Sequence, residues 1–233
     1  MPSQSRRVVL VASVMVLCVT ACATAPRVAA PAASIAERLD DSTFWRLMND
    51  YSEPWGVFRS ENFVSNETSL QWVIPELQSR IKPGGVYLGV APDQNFTYIA
   101  AVRPSIAFIL DIRHQNAMQH LRYKALFETS ATRSEFLAKL FARAPLTGVD
   151  SASSAVQPFE AFAKQPADSA RYRDNLRTIT DRLTRVQRFA VSDSERVSLG
   201  CVYGAFFTQG PELTYNYSSE CRNPGPYGSG MMN

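Results

Sequence analysis

Two short, continuously apolar runs stand close together in the middle of the chain, Val86 to Val90 and Ser105 to Leu110. Ahead of the first is an emphatic turn, Lys82-Pro83-Gly84-Gly85. Between them lie a polar loop, Ala91 to Asn95, and a helix-like stretch, Phe96 to Val102, which Arg103-Pro104 closes. Strands in a parallel sheet are covered on both faces, so they read as unbroken apolar runs rather than as alternation. Strand, loop, helix, strand of this kind is a βαβ unit, and its presence sets the expected class as α/β.

The flanking periodicity is helical. Asp41 or Ser42 can cap a helix carrying Phe44, Trp45, Leu47, Met48 and Tyr51, which Pro54 closes. Phe58 to Asn66 reads as a loop or a short extended piece. Asn66 is placed to cap a second helix with Leu70, Val73, Ile74 and Leu77 on one face, kinked or stopped at Pro75. Helices follow from Asn116, from the capping box Thr132 to Glu135, from Asn175 to Phe189 and from the capping box Ser192 to Glu195, with Gly210 at the last end. The 145–170 stretch, rich in Ala, Ser and Pro, reads as a surface excursion. Leu213 to Tyr217 alternates like a strand, and 218–233 reads as a disordered tail.

The N-terminus reads as an export signal, residues 1–21. Arg6 and Arg7 precede Val8 to Ala21, a run without charge that is too short for a stable membrane anchor of about 20 residues. Its end, Val19-Thr20-Ala21-Cys22, resembles the lipobox of bacterial lipoproteins, in which Cys22 becomes the acylated first residue. Ala23 after it implies the outer membrane, facing the periplasm. An Ala/Pro-rich tether, 22–36, then leads to a folded part, 37–217. Ordinary signal cleavage with secretion of a soluble protein, export by a twin-arginine route, and an uncleaved buried helix are the alternatives. Without the first 21 residues the chain has 22 basic and 21 acidic side chains, no electrostatic footprint for nucleic acid.

Cys18 leaves with the signal, so Cys201 and Cys221 remain either as a disulfide or as two free thiols. No clustered Cys/His spacing points to a metal, and His114 and His120 are six residues apart, wrong for one helical face.

In open α/β sheets, ligands sit beyond the carboxyl ends of strands. The candidates there are Asp93, Gln94 and Asn95 after the first strand, and Asp111, Arg113 and Asn116 after the second, with Asn66 and Glu67 opening the preceding helix. The competing readings are loop capping for residues 93–95 and a local ion pair for Asp111 with Arg113. Asp111 lies 22 residues beyond Gly89, the interval of a ribose-binding acid, and Lys82-Pro83-Gly84-Gly85 resembles the lead-in to the first motif of class I methyltransferases. The first strand, however, ends Gly89-Val90-Ala91-Pro92, without the carboxylate and paired glycines of that motif.

Ser65-Asn66-Glu67, the stretch Gly85 to Ala100, Phe108 to Arg113 and Gln119 to Glu128 together resemble an uncharacterised family of bacterial proteins, some of them lipoproteins, with a methyltransferase-like Rossmann fold. The resemblance spans Phe44 to Tyr217 apart from 145–170. It implies a Rossmann-like parallel sheet with flanking helices, and further strands past Asn233, so that this chain is a C-terminally truncated copy. Family members carry Gly where this chain has Ala91. The function expected is that of a membrane-anchored lipoprotein whose sheet binds an envelope partner or a small ligand without catalysis and without a cofactor. The alternative is a transferase using S-adenosylmethionine or another nucleotide-like ligand, with Asp111 holding a hydroxyl pair.

Overall fold

The computed structural model describes residues 38–53, 62–148 and 154–217, all within one compact unit, Ala36–Asn233. The signal and tether readings, with Cys22, and the tail reading, with Cys221, lie outside the described residues. The helices are α1 (Asp41–Asp50), α2 (Ile74–Arg80), α3 (Gln94–Val102), α4 (His114–Thr129), α5 (Arg133–Phe141), α6 (Val156–Ala163), α7 (Ser169–Asp181) and α8 (Asp193–Gln209). The strands are β1 (Val86–Val90) and β2 (Ile106–Leu110). A 3-10 turn, Leu70–Val73, leads into α2, and Pro75 sits in the first turn of α2, where its missing N–H leaves nothing unpaired. Five residues of π-helix, Arg182–Val186, extend α7.

The βαβ unit is present: β1 and β2 pair in parallel, Val86 opposite Ile106 through Val90 opposite Leu110, with α3 as the crossover. The expected Rossmann-like, methyltransferase-like sheet is not. Among the described residues the sheet has only these two strands. From residue 114 onward the apolar positions recur at helical spacing, so the chain continues as helices where a doubly wound sheet needs further strands. Leu213 to Tyr217 is no strand either; a 3-10 turn, Gly210–Glu212, precedes it, and the Tyr217 ring packs against Phe63. Val86, Leu88 and Val90 are 57%, 69% and 65% exposed, so one face of β1 is bare.

The core lies instead between helices. Among the described residues, α4 and α8 make the most extensive helix contact. They run parallel: His114 meets Glu195 at their N-terminal ends, and Tyr123 meets Phe206 further along. Parallel alignment brings two positive dipole ends together and two negative ends together, an arrangement that counter-charges relieve. Glu195 supplies a carboxylate at the first end, where it also closes the Ser192 capping box. Near the other, Arg143 Nη1 donates to the carbonyls of Phe141 and Phe207.

Midway, Arg122 is fully buried, and none of its three guanidinium nitrogens has a hydrogen-bond partner among the described residues. Its charge rests on ring faces, 3.7 Å from the Phe206 centroid and 4.7 and 5.7 Å from those of Tyr123 and Tyr203. Burial pushes the Tyr203 hydroxyl up to about 12, so the ring beside the cation stays neutral and its O–H donates to the Lys139 carbonyl.

Thr132 and Ser192 cap α5 and α8 as their spacing implies, whereas Asp40, not Asp41 or Ser42, caps α1. The 145–170 stretch contains α6, whose Phe162 is wholly buried and contacts Phe141. Part of the presumed excursion is therefore core. Phe162→Ala is expected to lower stability by about 3–5 kcal/mol in urea unfolding. The exposed neighbour change Lys164→Ala should stay within about 0.5 kcal/mol.

Candidate ligand cleft

The chain leaves β2 and enters α4 within three residues, and the side chains there are tightly engaged. Asp111 Oδ1 accepts from the Arg113 N–H at 2.8 Å and from Arg113 Nε at 3.0 Å, and Oδ2 accepts from Nη2 at 2.7 Å. Both side chains are 6% exposed, and Nη2 also donates to the Asn62 carbonyl. A two-pronged guanidinium–carboxylate pair fixes geometry as well as charge. It sets the angle at which α4 starts and ties the Asn62 loop to the end of β2.

Beyond this pair lies a cleft of about 540 Å³ between α1, β2 and α4. Its apolar side includes Phe44, Met48 and Tyr51 from α1 and Phe108 from β2; its polar end holds Asp111, Arg113, His114 and Asn116. No residue of α1 is fully buried. Ring contacts pin it at both ends: Phe44 and Trp45 stack on Phe189, and Tyr51 leans on Phe108. Asn116, in the first turn of α4, is 3% exposed, yet its Oδ1 has no hydrogen-bond partner among the described residues. A buried acceptor left unmatched costs about 1–3 kcal/mol.

Two histidines flank this end. His114 Nε2 lies 3.1 Å from Glu195 Oε1, and burial, only partly offset by that carboxylate, holds the imidazole below its ordinary value. His120 Nε2 lies 3.4 Å from the Ala91 carbonyl, its ring edge-on to Phe96 and Tyr123, and burial lowers its pKa as well.

The loop after β1 is built for itself. Asn95, buried, accepts from the Tyr87 hydroxyl at 2.8 Å and donates Nδ2 to the carbonyls of Val90, Ala91 and Pro92. This stitching holds Ala91 at φ 67°. It also explains Gly89, where a Cβ would collide with Asn95 Oδ1. Gln94 Nε2 donates to the Val90 carbonyl, and Asp93 accepts from the Ser65 N–H.

Of the residues singled out in the sequence, Asp111, Arg113 and Asn116 converge on the cleft; Asp93, Gln94 and Asn95 form the neighbouring loop, and Asn66 and Glu67 are exposed outside it. Asp111, the acceptor for a hydroxyl pair under the transferase alternative, has both oxygens on Arg113. The residues that sequence reasoning passed over are His114, His120 and the α1 wall. The signal for that wall was present in the amphipathic stripe of Phe44, Leu47, Met48 and Tyr51.

A helical protein with one βαβ unit and a cleft where its second strand turns into a helix is the class these features define. The chain belongs to the family described as Domain of unknown function (DUF7790), which matches residues 62–199. The matched span holds β1 through the first half of α8, including the polar end of the cleft, and leaves out α1. No curated protein and no solved structure matches the chain.

Two outcomes follow from the geometry. Asn95→Ala removes the amide donor shared by three carbonyls and the acceptor of the Tyr87 hydroxyl, and should lower stability by about 1–3 kcal/mol in urea unfolding. Because both folded-state histidine pKa values are depressed, the unfolded chain takes up more protons on acidification. Their contribution is full above the ordinary value of about 6.5 and is lost as pH falls below it toward the folded values. The stability of a His114→Gln, His120→Gln double variant should therefore fall less steeply than wild type between about pH 6.5 and pH 5.

Proposed function

We propose that the protein is an exported lipoprotein, acylated at Cys22 and held at the periplasmic face of the outer membrane, that binds a small ligand in the cleft between α1, β2 and α4. The observation that carries the binding reading is the unpartnered, buried Oδ1 of Asn116 in the cleft wall. An acceptor there selects a ligand group that donates, a hydroxyl or an amine N–H, on an apolar body that meets Phe44, Met48 and Tyr51. The volume suits one small molecule.

Export is supported from a different quarter. Cys201 is disulfide-bonded, and its partner lies outside the described residues, as does the expected Cys221. Disulfides persist in oxidising compartments and are rare in the cytosol. Lipid attachment at Cys22 would keep such a protein in the envelope, since two or more acyl chains hold a bilayer durably where one does not.

Intact-mass measurement of protein purified from bacterial envelopes should show an acylated Cys22 as the first residue; a chain beginning at Met1 would contradict export. For the cleft, N-phenyl-1-naphthylamine, an apolar fluorophore with one N–H donor, should bind saturably. Asn116→Leu should weaken it about tenfold, the worth of one hydrogen bond to a buried acceptor. Equal affinity in wild type and variant contradicts the cleft assignment.

A further inference from the structure

A parallel strand pair is normally covered, yet β1 has an open edge. Ala91 donates its N–H to the Leu110 carbonyl, so by strand alternation the peptide groups of Tyr87 and Gly89 face β2. Those of Val86, Leu88 and Val90 therefore face away from it. Among the described residues, only the Val90 carbonyl of these groups finds a partner, in the side chains of Gln94 and Asn95. The edge is not blunted by proline, by a bulge or by an inward charge, the usual protections.

At the start of β1 lies an apolar groove of about 430 Å³, walled by Leu77 of α2 and Ile81 just past its end, by Val86 and Tyr87 of β1, and by Tyr98 and Val102 of α3. No residue of β2 lines it, and α2 packs against α3. Lys82 lines its end at the start of β1, and Arg103 sits between the lining residues Val102 and Pro104. Neither cation has an acidic partner among the described residues.

We infer that the β1 edge and the α2 groove form a strand-addition site for an extended segment of a partner protein, with alternating apolar side chains and a carboxylate placed beside Lys82. The chemistry selects this occupant over others. Main-chain groups in a row are satisfied by another main chain, and alternate side chains of an added strand enter the helix-walled groove. A bilayer offers no hydrogen-bond partners to a strand edge. A second copy would bring its own α2–β1–α3 layer against an α2 that already walls the groove. The inference does not depend on the cleft or on lipid attachment.

The test uses ¹⁵N-labelled protein and the peptide acetyl-Asp-Val-Thr-Val-Thr-Val-amide. Saturable shifts should centre on the amides of Val86, Leu88 and Val90, which should gain protection from hydrogen exchange. Leu88→Pro removes one outward N–H while sparing the β1–β2 ladder, as prolines on open edges do. It should weaken binding at least about tenfold, whereas Leu88→Thr, which keeps the N–H, should bind within about threefold of wild type. Replacing the peptide's Asp by Lys should weaken binding to wild type and strengthen it to Lys82→Glu. Absence of saturable binding at about 1 mM peptide, or equal binding to Leu88→Pro and Leu88→Thr, overturns the proposal. So does concentration-dependent protection of these amides in the free protein, which would mean that a second copy fills the edge.

Discussion

The rest of the molecule depends on how one charge is buried. Arg122 sits at the middle of the α4–α8 seam, its guanidinium without a carboxylate or hydrogen-bond partner among the described residues, resting on Phe206, Tyr123 and Tyr203. An unpaired guanidinium in a dry interior is tolerated only where its surroundings are electrostatically favourable, and aromatic faces are the means used here. That requirement fixes the rotation of both helices, because the rings come from one face of α8 and from the residue beside Arg122 on α4. The His114–Glu195 contact at one end and the Arg143 contacts with helix-terminal carbonyls near the other are how the aligned dipoles are relieved.

Once α4 is fixed, the cleft follows. The buried Asp111–Arg113 pair connects the end of β2 to the start of α4, so the sheet is attached to the helical core at that corner. Asn116 is one turn further on, and α1 reaches across from its stacking contacts on Phe189 to Phe108. One face of β1 is left exposed, at Val86, Leu88 and Val90. A sheet this small contributes little stability by itself. Among the described residues, the exposed face of β1 goes with a core built elsewhere.

The local elements were legible where a side chain's role depends only on its neighbours. The βαβ unit shows in the switch from continuous apolar runs to helical spacing at Phe96, and the caps at Thr132 and Ser192 show in a three-residue interval. The sheet's extent was not legible, because one βαβ unit is compatible with two strands or with six. Residue type and spacing also do not reveal which way a polar side chain turns. Asn95 faces inward to stitch its own loop, and Asp111 is occupied by a cation two residues away, although both stand where ligand contacts are common. Phe162 was hidden by averaging: a stretch rich in Ala, Ser and Pro encloses an eight-residue helix with a fully buried ring. Arg122 gave no signal, since an arginine in a helix reads as solvated until its neighbours in space are known.

The claim beneath all of this is that the α4–α8 seam is the structural core and the sheet an appended unit. Native-state amide hydrogen exchange measures it directly, since core amides exchange only through global unfolding and appended ones through local opening. The slowest exchange is expected in the α4 segment around Leu121 to Leu126 and the α8 segment around Val202 to Phe206, with β1 and β2 opening at lower free energy. Amides of β1 and β2 exchanging as slowly as those of α4 and α8 would contradict the account.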